Sequence, residues 1–127
     1  MANGDNPTPA VNPASSAPSA QRQVENAYWQ LYQLLRQAYA ATNDAKVSVQ
    51  IAGAENDCLN IITQLNVIDI ENRTQDFEKL TDVVASANQG LATLKEQIKA
   101  TTDLLGIATQ VTKAVDQVIA LAAKYLK

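Results

Sequence analysis

Trp29, Tyr32 and Arg36 are the residues of this sequence whose types and spacing best suit a chemical role. Steps of three and four residues place these side chains along one side of an α-helix. Trp, Tyr and Arg are the residue types most enriched among the few hot-spot residues that dominate binding at protein interfaces. The sequence therefore predicts a partner-binding site at these three residues. The alternative is that the helix has a wide apolar face and that Trp29 only covers the edge of a hydrophobic core.

The residue types that most catalytic and metal sites use are nearly missing. The 127 residues include no histidine and one cysteine, Cys58. Histidine is the commonest general base and metal ligand, and a single cysteine cannot form an intramolecular disulfide. Two close carboxylate pairs are predicted to lie on different helix faces or to face solvent: Glu55 with Asp57, and Glu78 with Asp82. We therefore expect a protein that is not an enzyme and that holds no cofactor and no metal ion.

Charge and hydropathy narrow the kinds of partner. The net charge is −3, which does not favour binding to nucleic acid or to an anionic membrane. The most apolar window, residues 104–123, contains Lys113 and Asp116 near its centre, which a membrane-spanning helix would not carry. We expect a protein partner or a second copy of the chain as the binding partner and no nucleic acid, and the sequence disfavours a membrane.

Residues 1–20 differ in composition from the rest of the chain. They contain all four prolines among alanine, serine, asparagine and threonine. Such a segment buries too little apolar surface to offset the entropy lost on ordering. We predict a flexible N-terminal arm over 1–20 and one helical domain over 21–127. The arm lacks the basic start and apolar run of a cleavable signal peptide, so we expect the cytoplasm, or export without a cleaved signal.

Apolar residues recur at steps of three and four along the first half of the helical domain, which is the spacing of one helix face. Helix 1 is predicted from Ser19, its capping residue, to about residue 41. Helix 2 is predicted from about residue 45 to residue 68 or 70, after cap residues in the segment 42–44. Asn72 and Gln75 resemble a capping box at the start of the next helix. The predicted core positions are Val24, Tyr28, Leu31, Tyr32, Leu35, Ala38, Tyr39, Val47, Ile51, Ala54, Cys58, Ile61, Leu65 and Ile68.

Between residues 77 and 126 the same spacing continues without a slip. One helix of that length would be roughly 80 Å long and would leave half of its apolar face uncovered in a monomer. We favour a break at residues 100–103, where Thr101, Thr102 and Asp103 suit a helix start. The predicted core positions are Phe77, Leu80, Val84, Ala87, Leu91, Leu94, Ile98, Thr101, Leu105, Ala108, Thr112, Val115, Ile119, Ala122 and Leu126.

Four helices of matched length predict an all-α fold, an up-down antiparallel four-helix bundle. The alternative is a helical hairpin or coiled coil with one long C-terminal helix. Aspartate in place of Leu91 or Ile119 is expected to unfold the protein, because it would bury an unpaired charge.

Three functions are compatible with this sequence. The first is a non-enzymatic structural or interaction protein that self-assembles or binds a protein partner through its helix faces. The composition of this chain is similar in kind to that of exported helical filament and translocation components, which are rich in Ala, Asn, Gln and Thr. The second is a small inhibitor or immunity-type protein that binds a basic target through the acidic region 55–82. The third is a membrane-active helical protein. The polar residues within 104–123 argue against this function.

Overall fold

The computed structural model describes residues 19–70, 74–102 and 105–126. These residues form four α-helices: α1 Ala20–Ala41, α2 Ala45–Leu65, α3 Gln75–Thr101 and α4 Leu105–Tyr125. Each helix packs against the next one along the chain, and α4 also packs against α1, so that the helices surround one core. The short connections make neighbouring helices antiparallel. The predicted all-α four-helix bundle is confirmed.

Polar side chains begin α1 and α2 where the sequence predicts it. The Ser19 hydroxyl accepts a hydrogen bond from the Arg22 backbone N–H, with 3.2 Å between the atoms. In the same way, the Asp44 carboxylate accepts one from the Val47 N–H at 3.0 Å. Each cap satisfies a backbone donor that has no partner within its helix. Helix α1 therefore begins after its Ser19 cap, and residues 1–18 of the predicted arm lie outside the described residues.

The boundary between α2 and α3 differs from the prediction. Helix α2 ends at Leu65 and does not reach residue 68 or 70. Helix α3 is capped by Thr74, whose hydroxyl accepts a hydrogen bond from the Phe77 N–H at 3.2 Å. The predicted cap Asn72 lies outside the described residues. Since Thr74 already satisfies the first turn of α3, the capping box predicted with Gln75 is not what starts this helix.

A single side chain of α1 explains why α2 stops early. The Gln21 amide nitrogen donates to the carbonyl oxygens of Leu65 and of Ile68, the latter at 2.8 Å. The Ile70 backbone N–H donates in turn to the Gln21 amide oxygen at 3.2 Å. These contacts satisfy the Leu65 carbonyl, which is the last of α2 and which a helix terminus leaves unpaired, together with two backbone groups of the segment that follows. The chain can therefore leave the helix although its apolar spacing continues to Ile68.

Replacing Gln21 with alanine should lower the free energy of unfolding by about 2–3 kcal/mol. The variant loses three hydrogen bonds and leaves partly buried backbone groups unsatisfied. Gln33→Ala is the matched control, because Gln33 is an exposed residue of the same helix and its loss should cost less than about 0.5 kcal/mol. Urea unfolding followed by circular dichroism measures both values. Equal losses in the two variants would contradict the role assigned to Gln21.

The predicted break between the last two helices is present. Helix α3 ends at Thr101, and its C-cap Thr102 has an extended backbone with φ −101° and ψ 124°. Thr102 forms an isolated antiparallel bridge with Thr42, and the Thr42 hydroxyl donates to the Thr101 hydroxyl at 3.1 Å. The α1–α2 and α3–α4 connections thus meet at one end of the bundle. The alternative of one long C-terminal helix is wrong.

The predicted core of α1, α2 and α3 is confirmed at nearly every position. The exceptions are Tyr32 and Ile68, which are half-buried, and Tyr39, which is 49% exposed. Tyr28 is fully buried, and its hydroxyl donates to the Asn88 side-chain oxygen at 2.8 Å, from α1 across to α3. This bond satisfies the one polar atom of a large buried ring.

The predicted core is only partly correct after residue 100. The spacing predicts that Thr101, Thr112 and Ile119 are buried, but all three are half-buried. Val111 and Val118 are not part of the predicted stripe, yet both are fully buried. Ala114 is also buried, although it is not part of the predicted stripe. The positions of α4 and its end that are predicted correctly are Ala108, Val115, Ala122 and Leu126.

The break explains why α4 buries a different stripe. A continuous helix would have to keep the phase that α3 sets, whereas a separate helix is free to rotate about its own axis. Helix α4 packs against both α1 and α3. It therefore buries a wide face that includes Val111 and Val118 and moves Ile119 to the edge of that face. The side chain of Leu105 lies outside the described part of the chain.

Candidate protein-binding surface on α1 and α2

Trp29, Tyr32 and Arg36 form a continuous stack along α1. The Trp29 and Tyr32 rings are stacked, with 5.4 Å between their centroids and 19° between their planes. The central guanidinium carbon of Arg36 lies 6.0 Å from the centroid of the Tyr32 ring. The structure thus brings together the three residues that the sequence singles out. Their role in binding stays a prediction.

The stack is anchored at its middle member. Tyr32 is half-buried and packs against the core, whereas Trp29 is 46% exposed and Arg36 is exposed. The core contact restricts the Tyr32 ring, and stacking on that ring restricts Trp29. An aromatic side chain that is already ordered loses little conformational entropy when a partner covers it. Trp29 therefore presents an ordered apolar surface beside Tyr32.

A groove between α1 and α2 continues this surface. It has a volume of about 400 Å³ and is lined by Arg36, Tyr39, Ala40, Ala52 and Glu55. The small side chains Ala40 and Ala52 leave the space between the longer ones open. We call the stack and the groove together the α1–α2 face; its residues are Trp29, Tyr32, Arg36, Tyr39, Ala40, Ala52 and Glu55.

The prediction from sequence missed Tyr39, which belongs to this face and not to the core. Tyr39 lies close to the end of α1, opposite the first turns of α2, and 49% of it is exposed. Its spacing of three residues from Arg36 was the available signal, since it continues the stack along the same side of the helix. The contribution of Ala52 and Glu55 depends on the packing of α2 against α1 and had no signal in the sequence.

Arg36 and Glu55 lie on opposite walls of the groove without forming an ion pair. The ion pairs within 4.0 Å among the described residues are Lys95 with Asp116 and Glu96 with Lys99. Burial raises the pKa of the Glu55 carboxyl above its ordinary 4.5, while the nearby Arg36 charge acts to lower it. The two charges therefore influence each other across the groove, and both keep free hydrogen-bonding capacity.

Burial raises the pKa of two side chains in the described core, Cys58 and Tyr28. Cys58 is buried as predicted, and burial together with the charges of Asp57 and Glu55 raises the pKa of its thiol to about 12. Burial also raises the pKa of Tyr28, against the hydrogen bond to Asn88, which lowers it. A thiol becomes a nucleophile only as the thiolate. Neither group is therefore ionised near neutral pH in the folded protein.

A second groove, between α2 and α3, is made by small residues. It has a volume of about 430 Å³, and its lining includes Gly53, Ala54, Asp57, Ala87 and Gly90. A Cβ atom added at either glycine would meet nothing within 4 Å, so packing inside the chain does not require glycine there. Asp57 lines this groove whereas Glu55 lines the other one. The acidic region predicted for residues 55–82 is thus divided between separate surfaces.

Neither a metal cluster nor a membrane-spanning helix is found in the described parts of the chain. Over residues 19–70, 74–102 and 105–126, no three side chains of the His, Cys, Asp and Glu types are placed to hold a metal ion. Over the same ranges, each helix is too short or too polar to cross a bilayer. Comparisons of the chain with protein-family models, with curated proteins and with solved structures found no match.

Proposed function

We propose that this protein is a non-enzymatic helical interaction protein that binds a protein partner through the α1–α2 face. The observation that carries this proposal is the exposed Trp29 ring, held against Tyr32 beside the Arg36 guanidinium, which has no carboxylate within 4.0 Å in the described part of the chain. Interface hot spots are enriched in these three residue types and cluster near the centre of the interface. The stack offers such a centre, and the groove beside it offers shape for a partner to fill.

The exposed aromatic surface supplies binding free energy. Trp29 is 46% exposed and Tyr39 is 49% exposed. Aromatic side chains bury about 150–250 Å² when they are covered completely, so roughly 100 Å² of each remains available. At about 25 cal/mol per Å², covering both rings contributes on the order of 5 kcal/mol before the entropic cost of association is subtracted. A standard interface covers about 800 Å² on each partner, so the two rings form its centre and neighbouring residues form its margin.

The surrounding surface suits a protein partner. Charged residues make up 18% of the chain, and the net charge is −3. Neutral amide and hydroxyl side chains cost less to desolvate than ions do, so they tolerate close contact with another protein. A nucleic-acid site would need a basic stripe beside its aromatic residues. Helix α1, as the structure describes it, carries two basic residues, Arg22 and Arg36, which do not make such a stripe.

Photo-crosslinking in cells of the source organism tests this proposal. A benzophenone amino acid replaces Tyr39, which is an exposed aromatic residue of the face. The matched control carries the same amino acid at Gln89, an exposed residue of α3. We expect protein adducts from position 39 and none of them from position 89. We also expect these adducts to disappear when Trp29 is replaced by alanine.

Two results would overturn the proposal. The first is that position 39 gives no adduct, or only the adducts that position 89 also gives. The second is that the adducts from position 39 persist unchanged in the Trp29→Ala variant, because binding would then not use the stack. Circular dichroism checks that each variant keeps the helical content of the parent, so that a lost adduct reflects a lost contact.

A further inference from the structure

We infer that the partner of the α1–α2 face is a second copy of this chain, related by a twofold axis that pairs Arg36 of each copy with Glu55 of the other. This inference rests on the proposed function, since it uses the same face and specifies its occupant. The arguments for it are the charges of the two groove walls, the direction of the two helices, and the position of Trp29 relative to α2.

The charges of the groove are complementary to those of a second, identical groove that faces it in the opposite order. Its α1 wall carries one cation, Arg36, its α2 wall carries one anion, Glu55, and its other lining residues are uncharged. Neither ion has a partner of opposite charge within 4.0 Å among the described residues. A strongly basic or a strongly acidic partner would meet one wall favourably and the other wall with like charge, which is costly. A partner that presents the same two walls in reverse order satisfies both.

The twofold operation produces this reversal. Helices α1 and α2 are antiparallel neighbours joined by a three-residue connection. A twofold axis that runs parallel to them, in the plane of the contact, places α1 of each copy over α2 of the other. Arg36 and Glu55 line the same groove and thus lie at a similar height along the bundle. Two identical Arg36–Glu55 pairs then form, as an isologous interface requires.

The same arrangement gives Trp29 an apolar contact. Trp29 lies two helical turns before Arg36 on α1. At that height on the antiparallel α2 lie the residues two turns beyond Ala52 and Glu55, which are Leu59 and Ile62. Both are half-buried. The exposed Trp29 ring of one copy therefore meets aliphatic side chains of the other copy and no charged residue at that level.

A charge-reversal series tests the inference with the purified chain. The mass is measured by light scattering after size-exclusion chromatography, over a hundredfold concentration range. The wild-type chain of 13.7 kDa should give twice that mass at high concentration. Arg36→Glu and Glu55→Arg should each weaken the dimer by about tenfold or more, because each variant alone places like charges opposite one another in both pairs.

Mixing the two variants distinguishes pairing between chains from pairing within a chain. In a mixed dimer, the glutamate introduced by Arg36→Glu faces the arginine introduced by Glu55→Arg, and the remaining pair is native, so both contacts are complementary. An equimolar mixture should therefore regain the dimer that each variant alone loses. The double variant Arg36→Glu/Glu55→Arg should dimerise as well. Lys79→Glu and Asp57→Arg are matched controls, because they make the same changes of charge at exposed residues outside the α1–α2 face and should leave the dimer unchanged.

A wild-type chain that keeps a mass of 13.7 kDa at every concentration would overturn the inference. A dimer that forms but is not restored in the mixture would also overturn it, since its contacts would lie elsewhere. Neither result decides the proposed function, which the adducts from position 39 test separately. A monomer that still gives those adducts with a different protein keeps the face as a binding site and assigns it another occupant.

Discussion

Aspartate in place of Val118 should unfold the protein, whereas aspartate in place of the neighbouring Ile119 should leave it folded. Val118 is fully buried between the helices, so the variant places a carboxyl group in the core without a partner. We expect a loss of about 5 kcal/mol or more, comparable with the whole stability of a small domain. Ile119 lies half-buried in a groove between α3 and α4, from which a carboxylate can reach water, and its replacement should cost about 1–2 kcal/mol.

Thermal unfolding followed by circular dichroism at 222 nm measures this difference. The Val118→Asp variant should have a weak signal and no cooperative transition, as should Leu91→Asp, because Leu91 is 1% exposed. Val118→Leu and Ile119→Leu control for the change of side chain without a charge. If Ile119→Asp unfolds the chain and Val118→Asp does not, α4 keeps the stripe predicted from the sequence, and the rotation described above is wrong.

Stability should fall steeply as the pH rises above 9. The Cys58 thiol has a pKa of about 12 in the folded protein against an ordinary value of 9.0. Between these values the unfolded chain releases the proton that the folded chain keeps, so the free energy of unfolding decreases with pH. The loss is about 1.4 kcal/mol per pH unit, or about 4 kcal/mol by pH 12. Below pH 9 this contribution is fully present.

Tyr28 should act in the same direction, since burial raises the pKa of its hydroxyl. Urea unfolding at intervals from pH 8 to pH 11.5 measures the slope for the parent and for Cys58→Ala, Tyr28→Phe and the double variant. Each variant should be less stable than the parent at pH 8, yet its stability should fall more slowly above pH 9. Parallel curves for the parent and the double variant would show that neither buried group accounts for the alkaline loss.

Much of the fold follows from local rules that the sequence displays. An apolar residue at every third or fourth position marks the buried side of α1, α2 and α3, because one helix face turns back to the core at that period. Ser19 and Asp44 mark helix starts because a short polar side chain can accept a bond from a free backbone amide. The stack of Trp29, Tyr32 and Arg36 also depends on spacing along a single helix, and was predictable for that reason.

The features that the sequence did not reveal depend on contacts between distant residues. Helix α2 ends at Leu65, where Gln21 of another helix satisfies its last carbonyl and binds the backbone of Ile68 and Ile70 beyond it. Helix α4 has two apolar stripes of similar strength, and its packing against both α1 and α3 decides that Val118 is buried and Ile119 is not. Periodicity reports which residues share a helix face, whereas the rotation of that face depends on the neighbouring helices.

In the candidate site, too, some features follow from the sequence of one helix and others depend on tertiary packing. By itself the sequence determined that Trp29, Tyr32 and Arg36 lie along one side of α1, because residue types and spacing are properties of one helix. Only the tertiary structure placed Glu55 across from Arg36 and left Tyr39 half exposed beside them. The physical reason is that a groove is formed by two helices, so its width, its lining and the charges of its walls are set by how α1 and α2 pack together.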